Sequence, residues 1–96
     1  MIVGFGEQAT GDVYNGVNSA RARRIPMNIR QRVVDRLTAL NAAARLDDLR
    51  VPSSNRLEQL KGDLVGFWSI RVNDQWRIIF RWNDGQASEV RLTDYH

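Results

Sequence analysis

Two periodicities divide the chain. Between Asn28 and Ala44, Ile29, Val33, Leu37, Leu40 and Ala44 recur every three or four positions and share one side of a helix. Arg30, Gln31, Arg32, Asp35 and Arg36 face largely elsewhere. Asn28 followed by Gln31 has the spacing of a helix cap and its reciprocal partner, with Pro26 at or just before the start. From Trp68 to Trp82 the period falls to two. Trp68, Ile70 and Val72 alternate with Ser69 and Arg71; Trp76, Ile78, Phe80 and Trp82 alternate with Arg77, Ile79 and Arg81. This is the pattern of paired strands with one face to bury and one left basic.

The same pattern sets the strand register, because a slip of one residue turns apolar side chains into water. A loop of Asn73-Asp74-Gln75 pairs Val72 with Trp76, Ile70 with Ile78 and Trp68 with Phe80, whereas a shorter loop at Asn73-Asp74 mixes the faces. The longer loop sets Arg71 opposite Arg77, where like charges cost about 0.2–1 kcal/mol. Asn83-Asp84-Gly85 reads as a second loop of the same length, with Gly85 in the left-handed position. It pairs Trp82 with Gln86, Phe80 with Ser88, Ile78 with Val90 and Trp76 with Leu92, and brings Arg77 opposite Arg91. Arg71, Arg77 and Arg91 then line up across the sheet, with Arg81 further along. Such a row is either a solvated face with Glu89 and Asp94 as partners, or an anion site whose repulsion phosphate relieves.

The remaining segments are shorter. Met1 to Phe5 reads as a first strand bounded by Gly6, and Gln8 to Asn15 as a short helix stopped by Gly16. Arg21-Ala22-Arg23-Arg24-Ile25-Pro26 is the densest basic cluster, either a solvated approach to the long helix or a phosphate contact. Leu46 and Leu49 tuck in from the connection Ala42 to Asn55, whose second half has the composition of an exposed loop. Arg56 to Leu60 is a short strand before the turn Lys61-Gly62-Asp63. The sum is one α+β domain, two N-terminal helices packed on a twisted antiparallel sheet of about four strands.

Composition narrows the chemistry. Ninety-six residues support a single core without staples, and the absence of cysteine removes disulfides and thiolate metal sites. One histidine, at the end of the chain, excludes the usual multi-histidine sites, so no metal or other cofactor is expected. No basic region followed by an apolar run opens the chain and no stretch has membrane-spanning length, which makes the cytoplasm the expected location. The net charge is +3 and the pI about 10.2. Of the 14 basic residues only Lys61 is lysine, leaving 13 arginines. Arginine offers bidentate phosphate binding and stacking on bases, although GC-rich coding produces the same enrichment. Nucleic acid is the favoured partner. The chain ends in Asp94-Tyr95-His96, which is either a frayed terminus or an acid–base set held beside Arg77 by the strand through Val90 and Leu92.

Three ordered blocks carry a resemblance: Asn55-Arg56-Leu57-Glu58-Gln59-Leu60-Lys61-Gly62-Asp63, Trp68-Ser69-Ile70-Arg71-Val72-Asn73-Asp74-Gln75-Trp76-Arg77-Ile78, and Asp94-Tyr95-His96. With Arg23-Arg24-Ile25-Pro26 and Ala42 to Pro52 upstream, the chain resembles the HigB group of the RelE/ParE toxin superfamily over nearly its full length. The resemblance implies a RelE-like fold and the toxin of a type II toxin–antitoxin pair, an RNase that cuts mRNA in the decoding site of the 30S ribosomal subunit without metal. It implies a HigA-like helix-turn-helix antitoxin, through which alone the pair would reach operator DNA, and no membrane.

The chemistry maps onto the chain by the same resemblance. Cleavage needs the ribose 2′-OH deprotonated, the phosphorane charge stabilised and the leaving 5′-oxygen protonated. Lys61, Arg77 and Arg71 are the expected phosphate stabilisers, and Asp94, Tyr95 and His96 the proton-handling set, with His96 as general acid since an ordinary imidazole pKa near ~6.5 suits the role. RNA contacts are expected from Arg23, Arg24, Arg56, Arg71, Arg81 and Arg91. Phe67 and Trp82 are candidate base-stacking residues, Trp82 fitting the core better. Relatives can carry a histidine where this chain has Glu58, a carboxylate that can serve as a base but repels phosphate. Two alternatives stand beside the nuclease: a ParE-like gyrase inhibitor, which needs no acid–base set, and a weakly active RNA- or ribosome-binding module.

Overall fold

Helix α2 (Met27–Ala42) buries Ile29, Val33, Leu37 and Leu40 against one face of an antiparallel meander in the computed structural model, which describes residues 1–94. The sheet has four strands in the order β1 (Glu58–Gln59), β2 (Trp68–Arg71), β3 (Trp76–Asn83) and β4 (Gln86–Asp94). Ile70, Val72, Ile78, Phe80, Ala87, Val90 and Leu92 supply its side of the core. A shorter helix, α1 (Gln8–Tyr14), packs against α2 and β4. No helix among the described residues is long and apolar enough to cross a membrane.

The long helix follows its stripe but not its expected ends. Pro26 takes the cap position without any side-chain cap, and its carbonyl accepts from Ile29 N at 3.2 Å. Proline already holds the φ a helix start requires, so Asn28 lies one residue inside. Gln31 Nε2 donates instead to Asp35 Oδ1 at 2.9 Å. At the other end the backbone turns extended at Ala43, so the helical period stops there and Ala43 rather than Ala44 is buried.

The first hairpin has the expected register: Trp68 opposite Phe80, Ile70 opposite Ile78, Arg71 opposite Arg77. The second does not. Asn83 pairs with Gln86, so the loop is Asp84-Gly85 alone, with both residues at positive φ (49° and 78°). That turn suits the strand twist, and glycine takes the second position without a Cβ penalty. Continued unbroken, this register would set Arg91 opposite Ile78, in the core. Glu89 prevents it by adopting φ 51° in a bulge opposite Phe80, after which Ile79 faces Arg91, Ile78 faces Leu92 and Arg77 faces Thr93. The expected pairing of Arg77 with Arg91 is therefore corrected: Arg91 shares the face but sits opposite Ile79, two residues along the strand.

The segment Met1 to Gly6 runs parallel to the outer edge of β4. Val3 N donates to the Ala87 carbonyl (2.8 Å), Gly6 N to that of Val90 (2.9 Å), and Ala87 N to that of Met1 (2.8 Å). This pairing covers an edge that would otherwise present unpaired backbone groups. A Cβ on Gly6 would lie 2.9 Å from the Glu89 carbonyl oxygen, so only glycine passes the bulge this closely.

Further along the same edge, the Leu92 N–H donates to the Oγ1 of fully buried Thr10 at 3.0 Å, and the hydroxyl donates in turn to Glu7. Thr10→Val keeps the shape and removes the acceptor, leaving a buried N–H unpaired. We expect it to lower unfolding free energy by about 1–3 kcal/mol in urea titration, with Thr10→Ser recovering most of the loss. A loss below half of that range would show that Leu92 N–H finds another acceptor.

Candidate active site

The sheet face turned away from the helices carries Ser69, Arg71, Arg77, Ile79, Arg81, Arg91 and Thr93, by alternation from the buried positions. Arg77 is the anchor. Its residue is 7% exposed, so its charged guanidinium needs partners from the protein in place of water. Nε donates to Ser69 Oγ at 2.9 Å, Nη2 to the Arg56 carbonyl at 2.7 Å, and Nη1 lies 3.8 Å from Glu58 Oε1. The side chain thus reaches across β2 to β1. Arg56 offers its carbonyl from a left-handed residue (φ 45°), the point at which the chain turns into β1. Arg71, though opposite Arg77, bonds Asp74 in the adjoining loop, so the two cations point to different ends of β2.

The expected row of arginines is interrupted. Leu60, Phe67 and Ile79 are buried together on this face, with Leu64 packed against them. Arg81 lies over the Phe67 ring, 4.3 Å from its centroid, and pairs with Glu89 at 2.6 Å. Phe67 is therefore covered by a cation and not open to stack a base, and Trp82 packs against the main core. Arg77 and Arg81 are four positions apart along β3, roughly 13 Å, so the two do not serve one phosphate. Lys61 is exposed at the end of β1, beside the turn Gly62–Leu64. Arg91 is exposed and lines a small cleft of about 280 Å³ with Asp63, Phe67 and Glu89.

Comparison with known proteins bears on this arrangement. Residues 12–96 match the family model described as RelE-like toxin of type II toxin-antitoxin system HigB. Toxin HigB-1 of Vibrio cholerae is 49% identical over 72 residues, 75% of this chain and 76% of that protein. The chain belongs to the HigB-like toxins. Endoribonuclease HigB of Proteus vulgaris is 38% identical over 72 residues, 75% of this chain and 77% of that protein. The fold also matches the Staphylococcus aureus YoeB-YefM toxin–antitoxin complex (TM-score 0.60, 19% identity, 100% of this chain and 95% of that one). A YoeB/ParE toxin from Agrobacterium tumefaciens matches as well (TM-score 0.56, 19% identity, 99% and 98% covered). The RelE-like α+β architecture read from the sequence is the one present.

Within this HigB-like toxin the expected site residues fall into two regions. Arg56, Arg71, Arg77, Arg81 and Arg91, with Lys61, surround the sheet face and its β1 rim. Arg23 and Arg24 lie on the helix side, in the turn Ala22–Arg24; Arg23 Nη1 donates to the Asn18 carbonyl at 3.1 Å. Neighbouring Arg21 pairs with Asp12 at 2.6 Å, and with the Ser19 hydroxyl it holds the Asp12 carboxyl below the usual range, the hydroxyl being the larger cause. Asp94 sits opposite Trp76 at the end of β4, where its Oδ2 accepts from Gln75 Nε2 at 3.1 Å. Tyr95 and His96 lie outside the described residues.

Ser69 is the residue that sequence reading passed over. Its polar position in β2 was visible, but not its complete burial under Arg77. Several arginines are also structural struts. Arg30 donates to the carbonyls of Ile25 and Ala22, and Arg36 to that of Arg71. Arginine content alone therefore overstates the surface available for phosphate.

Proposed function

We propose that this chain is a metal-independent endoribonuclease, the toxin of its pair, which cuts mRNA on the ribosome in the cytoplasm. A HigA-like antitoxin with a helix-turn-helix domain neutralises it and carries the pair to operator DNA. The observation that carries the reading is Arg77: a buried guanidinium, oriented by Ser69 and Arg56, on a face with Lys61 at its rim; Asp94 follows Thr93, the neighbour of Arg77 in β4, and alternates to the other face. The name of the Proteus vulgaris relative supports RNA as substrate.

In the proposed step the ribose 2′-hydroxyl passes its proton to the Glu58 carboxylate beside Arg77, and the 2′-oxygen attacks the adjacent phosphorus. Arg77 and Lys61 stabilise the added phosphorane charge, with Arg71, turned to the other end of β2, left to the flanking backbone, and His96 protonates the departing 5′-oxygen. The 2′-O–P bond forms, the P–O5′ bond breaks, and the products are a 2′,3′-cyclic phosphate and a 5′-hydroxyl. Tyr95 orients the nucleotide, and Asp94 serves as proton partner for Tyr95 or His96.

The test is induced expression of the wild-type chain and His96→Ala, with mRNA 5′ ends read at nucleotide resolution. Growth arrest with cuts inside codons, lost in the variant, is expected. Arrest with intact mRNA and damaged DNA would overturn the nuclease reading in favour of a ParE-like gyrase inhibitor. Cuts that persist in His96→Ala would remove His96 from the mechanism.

A further inference from the structure

Behind Arg77 stands a second buried polar side chain. Asn55 is 1% exposed and ends the short turn Ser53–Asn55, directly before Arg56. Its Nδ2 donates to the Leu49 carbonyl at 3.2 Å and, at a longer reach of 3.5 Å, to that of Val51. The carboxamide thus ties the end of this loop to its start. Its Oδ1 is buried and meets no donor among the described residues. Burying an unpaired acceptor is destabilising, so an amide is a poor way simply to fill this space. What it supplies is one planar group that donates to two carbonyls at once.

The next residue holds an unfavourable conformation. Arg56 has φ 45° and ψ 58°, which a residue with a Cβ keeps only where its surroundings impose it. Its N–H donates to the Ser53 carbonyl at 3.1 Å, and its carbonyl accepts from Arg77 Nη2 at 2.7 Å. Asn55 and Arg56 share a peptide bond, so any rotation of the loop about Asn55 moves the carbonyl that orients Arg77.

We propose that Asn55 is a positioning residue for RNA cleavage: it fixes the left-handed Arg56 and, through the Arg56 carbonyl, the guanidinium of Arg77. The kinetic consequence rests on the nuclease reading; the orientation of Arg77 does not. At 1% exposure Asn55 is out of reach of RNA. Its substitution therefore spares RNA binding and acts on the charge stabilised in the transition state.

The test has two readouts on the full chain. In proton–nitrogen correlation spectra the Arg77 Nε–H resonance, identified by its loss in Arg77→Lys, reports the guanidinium without RNA. Asn55→Ala should shift it and hasten its exchange with water, and Asn55→Ser, which keeps one donor, should do so less. Val33→Ala, a core truncation under α2 on the other face of the sheet, should lower the melting temperature and leave the resonance in place. In cleavage of mRNA on ribosomes, Asn55→Ala should lower kcat by about tenfold to 10²-fold at nearly unchanged KM, the scale of a misplacement on the order of 1 Å. In an Arg77→Lys background, where the bond to Arg56 is already lost, the same change should lower kcat little further. Where alanine unfolds the chain, Asn55→Ser carries both readouts.

An Arg77 resonance untouched by the Asn55 variants would overturn the proposal, as would a cleavage loss that persists in full beside Arg77→Lys. A displaced resonance in a chain that cuts no RNA would establish that Asn55 positions Arg77 and remove the nuclease reading.

Discussion

Arg77→Ala is expected to reduce RNA cleavage by about 10²–10³-fold, the usual cost of removing one preorganised donor to a developing oxyanion. The side chain is fixed before substrate arrives, by Ser69 Oγ at 2.9 Å and the Arg56 carbonyl at 2.7 Å, so no reorganisation is needed when the phosphorane forms. The same bonds give Arg77 a structural role, since they tie the turn before β1 to the body of the sheet. Truncation leaves the Arg56 carbonyl and Ser69 hydroxyl without this donor. Two variants separate the roles. Arg77→Lys keeps the charge and loses the fork, and should retain more cleavage than alanine if charge at phosphorus is what matters. Ser69→Ala frees Nε without touching the charge, and should lower cleavage through orientation. Melting temperature reports the structural part in each case. If Arg77→Ala cuts RNA at the wild-type rate in a folded protein, Arg77 is a strut and the site lies elsewhere.

Phe80→Ala is expected to lower the free energy of unfolding by about 3–5 kcal/mol, read from urea denaturation. Small domains are stable by only roughly 5–15 kcal/mol, so a large part of the total rides on this one side chain. Phe80 is fully buried, and it lies opposite the bulge, where β4 spends two residues against one. Its ring, edge-on to Trp82 at 6.4 Å between centroids, fills the space beneath the irregular part of the sheet. A cavity there removes packing at the place where the ladder is already interrupted. A loss below 1 kcal/mol would show that the core closes over the gap and that Phe80 is not its centre.

The register error in the second hairpin shows where sequence reasoning runs out. Hydrophobic alternation is sensitive only to odd slips. Beyond the bulge the expected pairing (Ile78 with Val90) and the observed one (Ile78 with Leu92) differ by two residues, so both bury Val90 and Leu92; before the bulge they differ by one, and Ala87 is buried where Gln86 and Ser88 were expected to share the core face. Parity was legible beyond the bulge; before it neither parity nor register was. What decides it is a tight turn at Asp84-Gly85 combined with a bulge at Glu89, and the bulge holds a non-glycine residue at positive φ, which no local pattern announces. The consequence falls on the candidate site, because it moves Arg91 away from Arg77 and sets Thr93 there instead.

The stripe Ile29-Val33-Leu37-Leu40 and the alternation from Trp68 to Trp82 were sufficient by themselves for two layers, the first hairpin and the identity of the face that carries the arginines. These follow from local period and from the cost of exposing apolar surface, which adjacent residues determine. Long-range contacts decided the rest. Arg77 is buried because β1 returns to it across β2 with the Arg56 carbonyl and Glu58. The basic face is divided because Leu60 and Phe67 arrive from other segments to cover Ile79. Trp76 lines a cleft because the turn Ala22–Arg24 comes to rest beside it. In each case the partner is distant along the chain, and the balance of desolvation against pairing that sets a side chain's role exists only once that partner is in place.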